Sequence, residues 1–309
     1  MFNHRIIAVV CVLALGALPL GCAAEPKAPP LSDVEPAPIT IGTLPTEDAL
    51  PLWVAEAEGL FEAAGVDVEI VVFQAAQERD TAFSSGAIDA FMGDIIASAN
   101  LEASGAGATL ATVMLGQTPA EGRFGIVAAP GSEATSLADL AGVPIGTSAA
   151  SIQEYVVDGL MAAAGVPAGE VAKEIVPKVP VRYDLLINGQ IGAAAFPEPF
   201  LSLAELEGAV LLADDTTGEN LTQTVLGVSD TYLALPSGMI TVRALLDVWD
   251  EAVALINASP DTYRELLVDK ARLPEPLKDT YRVNTYPVAA APSAEMVEPV
   301  LAWMAGKEL

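Results

Sequence analysis

Histidine is almost missing from this chain of 309 residues: His4 is the only one. Cysteine occurs only at Cys11 and Cys22, and 14 Lys and Arg face 41 Asp and Glu, a formal charge of −27. Each shortage excludes something. If the first 21 residues are removed, as argued below, the chain retains no histidine and a single thiol. Ser-His and Cys-His nucleophilic catalysis then has no residues to work with, nor have zinc sites built on His or Cys. No H-E-x-x-H, Walker A or EF-hand pattern occurs. Carboxylate-only chemistry stays open, but the inventory suits binding better than catalysis. No catalytic residue, metal or cofactor is expected. Without a basic stripe to neutralise phosphates, nucleic acid is excluded as a partner, and so is electrostatic docking on anionic lipid. One thiol allows no intramolecular disulfide, so stability must come from a sizeable core, of which this length can bury one or two.

An apolar run long enough to span a bilayer is also lacking. Residues 6–20 form an uninterrupted apolar stretch, short of the roughly 20 residues a spanning helix needs. With Arg5 before it and Gly21-Cys22 after it, the order is that of a cleaved secretory signal. Leu18-Pro19-Leu20-Gly21-Cys22 resembles the lipobox of bacterial lipoproteins, in which the cysteine is acylated with diacylglycerol and the chain is cut just before it. Pro19 stands where that motif usually has Leu. The plain alternative is an ordinary signal peptide with an incidental cysteine. Residues 22–38 are then a lipidated cysteine and a tether. Pro26, Pro29, Pro30, Pro36 and Pro38 favour extended polyproline geometry, which would hold a globular body up to about 50 Å from the lipid. A lipid-anchored location on the extracytoplasmic side of a membrane is expected.

From Ile39 onward strand and helix patterns alternate, which predicts an α/β fold of right-handed βαβ units around mostly parallel sheets. Strands are expected at 39–44, 66–72, 88–92 and 109–115. The helix after Pro51 puts Trp53, Ala57, Leu60, Phe61 and Ala64 on one face at three- and four-residue spacing. The pattern then restarts with strands at 124–129, 143–146 and 191–196, around a helix at 151–164 and another near 182–188. A return strand at 224–228 precedes helices near 242–257, 261–269 and 295–304, and this apolar tail is expected to pack back onto the first half. The halves echo each other: Ser85-Gly86-Ala87-Ile88-Asp89-Ala90 precedes Asp94, and Asn188-Gly189-Gln190-Ile191-Gly192-Ala193 precedes Glu198. Such echoes are what two similar α/β lobes would produce.

Three stretches, in this order and spacing, resemble the solute-binding proteins of ABC importers for nitrate, sulfonates, taurine and thiamine-precursor pyrimidines. They are the segment from Pro51 through Trp53 to Gly59-Leu60-Phe61, the segment Ser85-Gly86-Ala87-Ile88-Asp89-Ala90, and Gly189-Gln190-Ile191 leading to Pro197-Glu198-Pro199. The segment Leu137-Ala138-Asp139-Leu140-Ala141-Gly142 adds to them. The resemblance implies a two-lobed type II periplasmic binding protein fold with two hinge crossings, near 123–129 and 224–229. Lobe I would comprise 39–122 and 230–309, and lobe II 123–229. It further implies a monomer that closes on a small polar solute and presents it to ABC permease subunits, with the membrane reached only through the lipid. Two rivals remain: an enzyme on the same fold, of the kind found in thiamine-precursor or menaquinone biosynthesis, and a ligand-sensing lipoprotein.

Ligands of open α/β sheets bind outside the carboxyl ends of the strands. That rule selects Thr46 and Asp48 after the first strand, Gln74 after the second, Asp94 after the third and Gln117 after the fourth. In the second lobe it selects Thr147, Ser148 and Ser151 at the start of a helix, and Glu198 after the last inner strand. Asp94 and the 147–151 segment read equally as helix caps, although the latter geometry also suits an anionic group. The acids Asp48, Asp94 and Glu198 lean toward a ligand bearing hydrogen-bond donors or positive charge. Arg79 reads as a helix-surface ion pair with a neighbouring carboxylate, and Arg182 as a solvated helix residue. Trp53, Phe61, Trp249 and Trp303 read as packing.

Overall fold

A computed structural model describes residues 34–217 and 220–309. Cys22, the expected signal segment and most of the expected tether lie outside the described residues. Among the described residues ten strands follow in chain order: β1 (Ile39–Thr43), β2 (Val68–Val72), β3 (Ala90–Asp94), β4 (Ala108–Leu115), β5 (Phe124–Ala128), β6 (Ile145–Thr147), β7 (Lys173–Ile175), β8 (Ala193–Pro197), β9 (Val210–Asp214) and β10 (Thr224–Ser229). They form two five-stranded sheets, ordered β2-β1-β3-β10-β4 and β7-β6-β8-β5-β9.

The two sheets repeat one topology. In each, a central strand runs parallel to both neighbours, β1 between β2 and β3, and β6 between β7 and β8. In each, one antiparallel strand is inserted next, β10 in the first sheet and β5 in the second. Registers agree too. Ile41 faces Ala90, which faces Val228, and Ile145 faces Ala193, which faces Ala128. A register shift falls at Leu226/Gly227 in one sheet and at Ile126/Val127 in the other. The short sequence echoes thus mark a repeat of whole lobes.

Helices cover the sheets. The long helix Pro236–Ala258 packs on Leu50–Ala57, burying Trp53, Trp249, Leu245 and Ile256 in the first core. Both begin with proline in the first turn, where the missing N–H costs nothing. Burial of each such side chain is worth roughly 1.5–3 kcal/mol. The helix expected across residues 51–64 is in fact two. Gly59 takes a left-handed φ of 70° and splits Leu50–Ala57 from Leu60–Ala63, which leaves Ala57 and Ala64 exposed while Trp53 and Phe61 stay buried. Ala37, near the end of the expected tether, is fastened to lobe I, since Tyr232 Oη and Thr241 Oγ1 donate to its carbonyl at 3.0 and 2.8 Å.

The chain passes between the sheets after Leu115, re-entering at Phe124, and again after Asp214, re-entering at Thr224. The segments expected as crossings, 123–129 and 224–229, are mainly the strands that each crossing leads into. Residues 224–229, assigned to lobe II from the sequence, pair with β3 and β4 and belong to the first sheet. Helix Phe200–Leu206 and strand β9, which the sequence reading passed over, complete the second sheet. The tail does more than return to lobe I. Helix Ala294–Gly306 lies on Ile95–Ala103 of the first lobe, and its Val300 and Met304 share a core with Tyr155 and Val156 of the second. Trp303 Nε1 donates to Asp158 at 2.9 Å, and Lys307 pairs with Glu154 and Asp158, both at 2.9 Å. The last helix therefore bridges the lobes.

Candidate ligand cleft between the facing strand ends

The register dictates which ends of the sheets meet. β4 ends at Leu115 and β9 at Asp214, both at the carboxyl edge of their own sheet. β5 starts opposite Pro197 and β10 starts opposite Asp94, again at carboxyl edges. Both crossings therefore join one carboxyl edge to the other and bring the two edges face to face. The crossings are themselves tied together: Asn220 Nδ2 donates to the Gly116 carbonyl at 2.7 Å, and Phe124 N–H donates to Asp215 at 2.7 Å.

On the lobe I edge, Thr46 Oγ1 donates to Asp48 Oδ2 at 2.8 Å, and Thr224 Oγ1 donates to Asp48 Oδ1 at 2.8 Å. Burial raises the Asp48 pKa despite both hydroxyls. Beside it lies Glu47, only 7% exposed. Its carboxyl accepts from Tyr281 Oη at 2.6 Å, and its backbone carbonyl accepts from Tyr286 Oη at 2.8 Å. Burial first, then the charges of Asp48 and Glu198, push the Glu47 carboxyl up to about 8. Glu198 acts there from the opposite lobe. Asp94 caps helix Ile95–Ala103 through Ala97 N–H at 2.8 Å, and burial raises its pKa. With Ile152, Tyr155 and Gln223 it lines a cavity of about 10 Å³ between the lobes, room for about one water. Gln74 is exposed and accepts from Arg272 at 3.2 Å. Gln117, in the first crossing, donates its N–H to Glu121 at 2.9 Å.

On the lobe II edge, Glu198 accepts from Ser202 Oγ at 2.8 Å and from Arg123 Nη1 at 3.1 Å. Burial raises its pKa, against the pull of those donors. Arg123, at the end of the first crossing, also holds Glu205 and Asp214 at 2.7 Å each. Burial works against its charge, but these carboxylates outweigh it and hold the guanidinium above its ordinary range. Ser151 caps helix Ile152–Ala163 and donates to the Ser148 carbonyl at 2.7 Å. Thr147 is fully buried and its hydroxyl has no hydrogen-bond partner; the hydroxyl of Thr43, its counterpart at the end of β1, is in the same condition.

Arg182 departs from its expected place in solvent. It is 0% exposed. Its guanidinium lies over the Phe196 ring at 5.3 Å and donates to Ser148 Oγ at 3.2 Å, to the Val176 carbonyl at 2.7 Å and to Gln153. Arg79, the counterpart in lobe I, is 2% exposed over the Phe91 ring at 5.5 Å and donates to the Met92 carbonyl. Glycine permits both approaches: a Cβ on Gly42 would lie 3.3 Å from Arg79 Cγ, and one on Gly146 3.1 Å from Arg182 Cδ. The signal was in the sequence as the repeated Ile-Gly-Thr at Ile41-Gly42-Thr43 and Ile145-Gly146-Thr147, each followed by an arginine at a similar interval. Nothing local marks Glu47, Tyr281 or Arg123 as partners, because their contacts span from 75 to 234 positions. Among the described residues no group of three or more His, Cys, Asp or Glu could hold a metal ion.

Two similar α/β lobes, joined by two crossings at their facing strand ends, define the fold of periplasmic binding proteins. Comparison with known proteins agrees. A model of the NMT1-like family matches residues 32–268, more than half of the chain, and the chain belongs to that family. Among solved structures it is similar to the periplasmic aliphatic sulphonate binding protein SsuA of Escherichia coli, at 19% identity and a TM-score of 0.74 over 89% of this chain and 88% of that one. It is similar as well to the alkanesulfonate-binding protein SsuA of Xanthomonas axonopodis pv. citri bound to MOPS, at 21% identity and a TM-score of 0.71 over 89% and 94%. The desulfurization enzyme DSZB shares the fold too, at 16% identity and a TM-score of 0.64 over 87% and 92%. No curated protein matches the chain. Among the described residues no helix is long and apolar enough to cross a membrane.

Proposed function

We propose that this protein is the solute-binding component of an ABC importer. Exported and held to a membrane by lipid on Cys22, it captures a small polar organic solute between lobe I and lobe II and delivers it to permease subunits. The observation that carries this reading is the joining of two carboxyl strand edges by two crossings, which makes a cleft whose width a hinge can change. The SsuA proteins bind sulfonates on the same fold, which supports a solute of that kind. The same candidates, Thr46, Asp48, Asp94, Thr147, Ser148, Ser151 and Glu198, sit along the two edges. Gln117 lies in a crossing, and Gln74 is the outermost of the set.

The acids give less support to a cationic solute than their number suggests. Asp48, Asp94 and Glu198 already accept hydrogen bonds from Thr46, Thr224, Ala97, Ser202 and Arg123. Because DSZB is an enzyme, fold alone does not separate capture from catalysis. The chain's single histidine, His4 in the signal segment, favours capture. A thermal-shift screen of the purified protein against alkanesulfonates, taurine, amino-pyrimidines and nitrate tests the reading. One solute at 100 times its Kd should add about 2.7 kcal/mol of stability. Turnover of a bound candidate without a partner, or no stabilisation by any solute, would overturn it.

A further inference from the structure

The internal repeat allows one lobe to be read against the other. In lobe I the Nε and Nη2 of Arg79 both donate to Asp80 Oδ1, at 2.9 and 2.6 Å. That edge of a guanidinium is a planar fork matched to an oxyanion, and here the next residue in the chain fills it. In lobe II the next residue is Tyr183, whose ring packs against Phe196 and Phe200 at 6.3 and 5.8 Å. The Nε of Arg182 is buried with no hydrogen-bond partner, and its Nη groups reach only Ser148, the Val176 carbonyl and Gln153. All three are neutral, and no ion pair involves Arg182 among the described residues. A fully buried cation without a counter-charge is costly unless something compensates it. Burial accordingly depresses the Arg182 pKa to about 10.

The surroundings suit negative charge. Ser148 and Gln153, both hydrogen-bonded to the guanidinium, flank the start of helix Ile152–Ala163, a helix of 12 residues whose amino end carries a positive partial charge. Thr147, the last residue of β6, adds a buried hydroxyl without a partner. The carboxylate of Glu154 in the same first turn is taken up by Lys173 and Lys307, at 2.9 Å each. We propose that Arg182 is the seat of an oxyanion, the sulfonate or carboxylate head of the solute. It takes the place at the Nε fork that Asp80 takes in lobe I, with Thr147, Ser148 and the helix start around it. The inference rests on the solute-binding reading above and adds to it the residue that receives the solute's anionic head.

Calorimetric titration of the purified protein decides it. Ethanesulfonate, MOPS and butyrate serve as anionic probes, ethyl methyl sulfone as a neutral one, and thiamine as a cationic one. The wild type should bind at least one anion and not the sulfone, and the preference between sulfonates and butyrate tells the two head groups apart. Arg182→Gln should weaken that anion by about 10- to 100-fold, the value of a charge-assisted pair. Tyr183→Asp, which restores in lobe II the neighbouring carboxylate of lobe I, should weaken it comparably. Tyr183→Asn removes the same ring without adding charge and should stay within about threefold. If Arg182→Gln does not fold, as circular dichroism would show, the two Tyr183 variants decide alone. Equal binding by Tyr183→Asp and Tyr183→Asn would overturn the seat. Binding of thiamine or the sulfone but of no anion would overturn the seat and leave the solute-binding reading intact. Absence of binding by every probe here and every solute of the thermal screen would overturn both.

Discussion

Replacing Glu47 with Gln isolates the most perturbed carboxyl of the cleft. Glu47 ionises near 8 in the folded chain, against an ordinary 4.5. The folded state therefore holds a proton that the unfolded state gives up between these values. Stability from this group is fully present below about pH 4.5 and is lost as pH rises to about 8. The full difference corresponds to about 5 kcal/mol, of which about 4 kcal/mol falls between pH 5 and pH 9. Gln is neutral at every pH and can still accept from Tyr281. At pH 5 the variant should match the wild type within about 1 kcal/mol, whereas at pH 9 it should be the more stable by several kcal/mol. Urea unfolding of both proteins at pH 5, 7 and 9 measures this directly. The other raised carboxyls, Asp48, Asp94 and Glu198, contribute a slope of the same sign to both proteins, so only the difference reports Glu47. Parallel pH profiles, or a variant weaker at pH 9 than at pH 5 relative to the wild type, would refute the reasoning.

Arg123→Met strands three carboxylates, of which Glu198 and Asp214 have side chains only 8% and 12% exposed. A loss of about 3–5 kcal/mol at pH 7 is expected in chemical denaturation, and a loss under about 1 kcal/mol would mark the cluster as a solvated surface network. Gly116 has φ 83°, and a Cβ there would lie 2.0 Å from the Thr222 carbonyl oxygen of the other crossing. Gly116→Ala should therefore cost at least about 2 kcal/mol through displaced backbone, again by denaturation. Cys22→Ser should abolish incorporation of radiolabelled palmitate in cells, whereas labelling of that variant at the wild-type level would remove Cys22 as the anchor.

Much of the fold was legible because it follows from local pattern. The alternation of strand and helix patterns located most of the strands. The loops after β1, β3, β6 and β8 followed from a rule about strand ends that needs only the order of elements. What the reading missed had nonlocal causes. Strand β9 lies at the edge of its sheet with residues 210–214 half exposed, and its run Val210-Leu211-Leu212-Ala213 is apolar without alternation, so periodicity alone does not mark it as a strand. Arg182 sits on a helix with Pro180 and Val181 before it and Tyr183 and Asp184 after it, a context that says surface. Its burial depends on Gly146, 36 positions earlier, and on Phe196.

From the sequence alone came the α/β class, the echoes that suggest two lobes and, beyond residue 21, the lack of histidine and of a second cysteine, because composition and periodicity are properties of the chain itself. Tertiary structure decided how the charges are used. It buried Arg182 without a carboxylate, gave Arg79 one, and let the charge of Glu198 in the other lobe act on Glu47. The physical reason is that desolvation and Coulomb coupling depend on what surrounds a group in space. Chain order does not state that for residues 75 to 234 positions apart, such as Arg123 and Glu198 or Glu47 and Tyr281.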